Sequence, residues 1–150
     1  MIKRGLLCAA LLCPALASAE LLVGLGYTNG VVGPNLEWAN ERYSLYVLPG
    51  AHLRKGGLDT DELRWVVGAR RPLERTTMQM PGFFVGAMFG DLGERSYERL
   101  GLGAELGRQW LTPSVRFTVS AGIAVLQEKS AYDKDMEPTL VLSTTFSMRR

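Results

Sequence analysis

From Glu20 onward the chain alternates large apolar residues with small or polar ones at a spacing of two, the side-chain period of a β-strand. The stretch RLGLGAELGRQW, Arg99–Trp110, shows it most plainly: Leu100, Leu102, Ala104 and Leu106 fall on one side, and Gly101, Gly103, Glu105 and Gly107 on the other. Seven further segments carry the same period: Glu20–Asn29, Pro34–Asn40, Tyr43–Leu53, Asp61–Arg70, Gly82–Gly90, Ser114–Gln127 and Thr139–Met148. In the fourth, Leu63, Trp65, Val67 and Ala69 alternate with Arg64, Val66, Gly68 and Arg70. The third alternates least cleanly, setting Tyr43, Leu45 and Val47 against Ser44, Tyr46, Leu48 and His52. Helical periodicity is weak, and seventeen glycines oppose long helices. The pattern predicts eight strands and an all-β fold.

The less apolar face decides the architecture. A soluble sandwich of two sheets would turn faces rich in Lys, Glu and Asp to water. Here that face is mostly Gly, Ser, Thr and Ala, with a few isolated polar residues: Glu37, Arg64, Arg70, Glu105, Gln109 and Arg116. Small residues suit a crowded interior, and isolated charges suit mutual pairing within it. The apolar face must then point outward, which lipid tolerates. This predicts an eight-stranded antiparallel up-and-down transmembrane β-barrel with a lumen polar network formed by those six residues. Such a barrel is about narrow enough to be filled by its own side chains. Ion pairing is therefore expected of Glu105, because a buried carboxylate without a partner is costly. A gate or ion-selectivity element is the alternative reading of the same glutamate.

One hairpin can be written out residue by residue. With a turn at Leu111–Ser114, Trp110 faces Val115, Leu106 faces Val119 and Leu102 faces Ile123. Gln109 then faces Arg116, Glu105 faces Ser120 and Gly103 faces Gly122, so one face is apolar and the other small or polar throughout. Arg108 breaks the apolar face but lies beside Trp110 near the turn, where a cation at a membrane interface costs roughly 0–1 kcal/mol. Starting the first strand on the periplasmic side makes the turns near Glu41 and Pro113 periplasmic. It places GVVG, RKGGLDT, DLGERSYE and EKSAYDKDME outside, as longer external loops. RPLERTTMQM is the misfit, a long segment where a short turn belongs.

The ends fix the expected compartment. Lys3 and Arg4, the apolar run Leu6–Leu12 and the small residues Ala17-Ser18-Ala19 form a secretory signal peptide, cut after Ala19. The expected organisation is a signal peptide over 1–19 and one barrel domain over 20–150. Cleavage removes both cysteines, so the mature chain enters an oxidising compartment without a disulfide. It also takes Lys3 and Arg4 from the seventeen basic residues, leaving fifteen against fifteen acidic ones. A neutral chain does not fit nucleic-acid binding, which calls for a basic patch.

The Ala-Ser-Ala cleavage site, the eight amphipathic segments, and GFFVGAMFG followed by LGLGAELGRQW together resemble the small eight-stranded bacterial outer-membrane barrels of OmpA/OmpX type, within the porin-like superfamily. The resemblance covers the whole mature chain and implies a Gram-negative cell-envelope protein in the outer membrane. Structural, adhesion or permeability roles follow from it, as does lipid A modification, which a few relatives of similar size perform. The family tends to finish its last strand on an aromatic residue read by the insertion machinery. This chain departs from that pattern, with Ser147-Met148-Arg149-Arg150 following Phe146.

Candidate chemistry is sparse. His52 is the only histidine, so a Ser-His-acid hydrolase of lipid A would have to use it. GAHLR has no serine two residues on, Ser44 lies about 26 Å away along the strand, and Ser96 and Ser130 fall in loops. An ordinary rim histidine is the plainer reading. DKDME, Asp133–Glu137, alternates three carboxylates but lacks the central glycine and distant glutamate of an EF-hand, so it reads as a solvated loop. Arg54 and Lys55 could meet lipopolysaccharide phosphates. Tyr27, Trp38, Tyr43, Trp110 and Phe146 lie near strand ends and read as interface aromatics rather than as a carbohydrate platform.

The sequence thus predicts a non-enzymatic, monomeric structural or interaction barrel that needs no cofactor or metal. Its expected partners are outer-membrane lipid, lipopolysaccharide and the insertion machinery. Two rivals stand beside it: a lipid A acyl hydrolase or transferase, and a soluble periplasmic ligand-binding barrel with its faces reversed.

Overall fold

The computed structural model describes residues 19–54, 56–73, 75–93, 100–127 and 136–149. The signal peptide, Lys55, Ser96, Ser130 and most of DKDME lie outside them. Eight strands form: β1 Glu20–Thr28, β2 Val31–Ala39, β3 Ser44–Arg54, β4 Gly57–Pro72, β5 Gly82–Asp91, β6 Leu100–Leu111, β7 Val115–Gln127 and β8 Met136–Arg149. Each pairs antiparallel with its neighbours in chain order, and β1 closes on β8 with Leu25 opposite Phe146. The result is a closed eight-stranded barrel. We call the end that holds the start of β1 and the end of β8 the base, and the opposite end the head.

The faces fall as the alternation requires. Leu25, Leu102, Ile123 and Leu140 are each about two-thirds exposed on the outer surface, whereas Arg64, Arg70 and Arg116 are about 1% exposed inside. This inverts the usual arrangement of a folded domain. It also runs opposite to the reversed-face barrel, which needs Leu102 and Val119 in the interior.

Inward glycines make room for inward bulk. The Tyr46 ring on β3 lies over Gly68, its partner on β4, where an added Cβ would sit 2.4 Å from two ring carbons. Phe84 lies over Gly107 in the same way, and Glu105 over Gly86. The glycines of β4 to β6 are thus seats for the large side chains opposite them. Gly68→Ala should therefore push the Tyr46 ring aside and cost about 1–3 kcal/mol, the usual penalty of overpacking. A urea midpoint unchanged from wild type would contradict this, and Tyr46→Leu in the same background should recover part of the loss.

Two expectations need correction. The β6–β7 register is shifted by two residues from the predicted one: Trp110 faces Phe117, Leu106 faces Ala121 and Leu102 faces Val125. The cause is the turn. The Thr112 hydroxyl accepts the Val115 backbone N–H at 3.0 Å and the Thr112 N–H reaches the Val115 carbonyl at 2.8 Å, so pairing continues beyond Trp110 to Leu111 and Arg116. A shift of two leaves both faces intact. GVVG and RKGGLDT do not form long loops. β1 turns into β2 through Asn29 and Gly30, both at positive φ (46° and 94°), as a two-residue hairpin turn demands. β4 already begins at Gly57, and a register shift between Gly50 and His52 accommodates its extra residues. The segment that fits no short turn is a long β4–β5 connection, and its residues 76–80 lie across the base, as described next.

Candidate functional site

The lumen is divided along its length. Toward the base it is polar and holds two buried ion pairs. Arg70 on β4 donates from Nε to Glu105 Oε1 on β6 at 2.8 Å, and both side chains are fully buried. The Arg70 guanidinium carbon stands 4.1 Å from the centre of the Tyr46 ring and 5.0 Å from that of Phe84, a doubly cation–π position. The Tyr46 hydroxyl donates to Glu105 Oε1 at 3.4 Å, and the Ser120 hydroxyl donates to Oε2. Glu105 therefore gathers β3, β4, β6 and β7 around one carboxylate.

A second group lies beside it. Arg116 on β7 places Nη1 3.2 Å from Glu37 Oε1 on β2 and donates from Nε to Gln109 Oε1 at 3.2 Å. Its Nη2 also donates to the Met78 carbonyl at 2.6 Å, while Gln109 Nε2 donates to the Met80 carbonyl at 2.6 Å. The Met78 N–H in turn reaches the Glu41 carbonyl at 2.9 Å. The segment that fits no short turn is thus folded across the base, with the Met78 side chain buried. Its peptide groups take up hydrogen bonds that Arg116 and Gln109 have to spare, satisfying polar atoms removed from water.

Five of the six predicted lumen residues, Glu37, Arg70, Glu105, Gln109 and Arg116, fall in these two groups. Two carboxylates face two guanidinium groups there. Arg64 is buried but stands apart from both groups; among the described residues it pairs with Glu62 at 3.5 Å, a side chain half exposed at the head. Sequence reasoning missed Tyr46 and Ser120 as members, although both lie on the inward parity. It also missed two polar contacts of β8 inside the barrel: Thr28 on β1 with Ser143 at 2.9 Å, and Asn35, one strand further on β2, donating to Ser147 at 3.1 Å.

Toward the head the lumen is apolar. Leu48, Val66, Met88, Leu92, Leu126 and Val141 pack in one buried cluster with Tyr46 at its lower edge. Beyond it the interior ends beneath the β1–β2 turn. His52 is buried there against Gly30, where an added Cβ would lie 2.7 Å from its Nε2. The imidazole faces the interior and is not presented on the outer wall. Asp91 is buried nearby on β5 and accepts the Trp65 N–H at 3.1 Å. Among the described residues no three His, Cys, Asp or Glu side chains gather as a metal site.

The outer wall is apolar from β1 round to β8. Of the predicted interface aromatics, Trp38, Tyr43, Trp110 and Phe146 lie toward the base and Tyr27 toward the head. Trp110 packs on Phe117 with ring centres 5.6 Å apart, and Trp65 meets Phe89 edge-on at 5.5 Å. Arg108 is exposed on this wall near the base, its guanidinium carbon 5.3 Å from the rings of both Phe83 and Trp110. Phe83 and Phe117 thus extend the aromatic set beyond the predicted five. Among the described residues no helix is long and apolar enough to cross a membrane; the apolar surface belongs to strands. No protein-family model, no curated protein and no solved structure matches this chain.

Proposed function

We propose that the protein is an integral outer-membrane β-barrel of OmpA/OmpX type, exported by a cleaved signal peptide, with a structural or interaction role and no catalytic one. The observation that carries this reading is the continuous apolar outer wall of a closed barrel. Closure leaves no unpaired strand edge for lipid to meet, which is what a bilayer demands of any spanning structure. The strands, from nine residues in β1 to sixteen in β4, match the about 9–11 residues needed to cross when tilted. Aromatic side chains near both ends suit a role as interface anchors.

The filled lumen supports a non-conducting role. Polar pairs occupy its lower half, an apolar cluster its upper half, and the 73–81 segment its base. The inward position of His52 gives no support to a hydrolase acting on lipid from the outer leaflet. Contacts with lipopolysaccharide and surface partners then fall to the head, and recognition by the insertion machinery to β8, where Phe146 and Met148 face outward.

Gel mobility of the outer-membrane fraction tests the reading. In SDS, the unheated protein should run faster than the boiled protein, because a folded barrel stays compact until heated. Recovery in the soluble periplasm, with identical mobility in both lanes, would overturn the proposal.

A further inference from the structure

On the outer wall, β4, β5 and β6 place three alanines side by side: Ala69 opposite Ala87, and Ala87 opposite Ala104. Larger neighbours frame this low ground. Trp38 and Leu45 stand on one side, with Val47, Val67 and Phe89 toward the head, and together they shape an apolar groove of about 450 Å³. Two residues further toward the base the chemistry changes. Arg42, Tyr43, Arg71, Thr76 and Thr77 line a recess of about 520 Å³, with Glu41 and Pro72 in its wall. Tyr43 precedes Leu45 by two residues and Arg71 follows Ala69 by two, so the recess continues the groove along the same two strands.

The recess is a built feature. The Asn40 side-chain oxygen accepts the backbone N–H groups of Arg42 and Tyr43 at 2.8 and 2.9 Å, fixing the β2–β3 turn. The Met78 N–H bond to the Glu41 carbonyl ties the 73–81 segment to the same turn. Among the described residues two guanidinium groups therefore border one cavity at the edge of an apolar wall, against one carboxylate, Glu41. Arginine is the side chain suited to phosphate oxygens, through charge-assisted and often bidentate hydrogen bonds.

We propose that this groove and recess form a binding site for one phospholipid, with an acyl chain along Ala69 and Ala87 and the phosphodiester between Arg42 and Arg71. The proposal rests on the membrane reading above, since it places the base recess at the level of phospholipid headgroups. Charge complementarity selects the occupant. A second copy of the chain would bring the same two cations and gain nothing from them, whereas a phosphodiester neutralises them.

The test uses the full-length protein purified from membranes in mild detergent, with lipid retention read by native mass spectrometry. Phosphatidylglycerol should bind at one per barrel, and diacylglycerol with identical chains about tenfold more weakly, since two arginines near a headgroup contribute at that scale. The R42Q/R71Q double variant should lower phosphatidylglycerol to the level of diacylglycerol. Ala87→Trp, which fills the groove without touching the recess, should weaken both lipids. Each variant is first checked for the heat-dependent shift, so loss of binding is not mistaken for misfolding. Absence of that shift in the wild type would overturn the membrane reading itself. A wild type that shifts but retains both lipids equally would overturn the site and leave the barrel reading intact. Inorganic phosphate bound as tightly as the phospholipid would assign the recess to a free anion and overturn the lipid proposal.

Discussion

Glu105→Ala should destabilise the barrel by about 3–5 kcal/mol, the range observed when one partner of a buried ion pair is removed. The loss exceeds that of the single Arg70 contact, because one carboxylate also receives the hydroxyls of Tyr46 and Ser120. Removing it leaves a guanidinium group buried in the lumen between two aromatic faces, with its direct ion-pair partner gone and the neighbouring Glu37 already paired to Arg116. Desolvation opposes a charged Arg70 in that state, and no nearby solvent can relieve it. Glu105→Gln should lose less, since the amide oxygen still accepts from Arg70 Nε. The double variant Arg70→Met with Glu105→Leu should recover most of the stability, because two apolar side chains of similar length fill the same space without desolvated charge. Urea unfolding of protein refolded in lipid vesicles measures all three. Equal losses for Glu105→Ala and the double variant, which fills the same space, would show that the hydrogen bonds Glu105 accepts from Tyr46 and Ser120, and not an uncompensated buried charge, set the effect.

Ile123→Arg should block stable insertion. Ile123 is about two-thirds exposed on the outer wall near the middle of β7, opposite Ala104 on β6 and Leu140 on β8. At the bilayer midplane an arginine costs about 2–4 kcal/mol, and its partners on both neighbouring strands, Ala104 and Leu140, are apolar. The same substitution on a water-facing wall would fall within about 0.5 kcal/mol of neutral. The pair of outcomes is therefore discriminating. Loss of the heat-dependent mobility shift and of membrane recovery is expected, and normal folding with normal recovery would place the wall in water. Leu102→Arg and Val119→Arg make the same comparison at flanking positions, and Ser114→Arg, in the tight β6–β7 turn at the base, serves as the tolerated control.

How much of this could be read from the residues follows from what period two does and does not constrain. Alternation assigns each side chain to a face, and every strand keeps the assigned faces, including the poorly alternating β3, where Tyr46, Leu48 and His52 point inward. Parity leaves the register free in steps of two, so the β6–β7 pairing was open until Thr112 closed its turn. Which arginine meets which glutamate depends on the stagger between strands, and no local pattern encodes that. Arg64 shares the parity of Arg70 yet sits too near the head to join it. The groove and recess were illegible for the same reason, since they appear only when Ala69, Ala87 and the 40–43 turn are brought together by pairing. The 73–81 segment has no periodicity at all. Its placement is set by donors on Gln109 and Arg116, about thirty residues and more further along the chain.

That dependence has a consequence for assembly. Within the 73–81 segment, Met78 alone reaches both the β2–β3 turn, through the Glu41 carbonyl, and β7, through Arg116, and these two hydrogen bonds cannot both form while the sheet is a flat ribbon. Contacts that join distant parts of a chain are rewarded only after the intervening loops have closed. Seating of Met78 is thus a late event in maturation, following curling of the sheet, and it works as a latch. A nascent barrel would be open at the base and a finished one shut, with the Met78 amide as the group whose protection marks the difference.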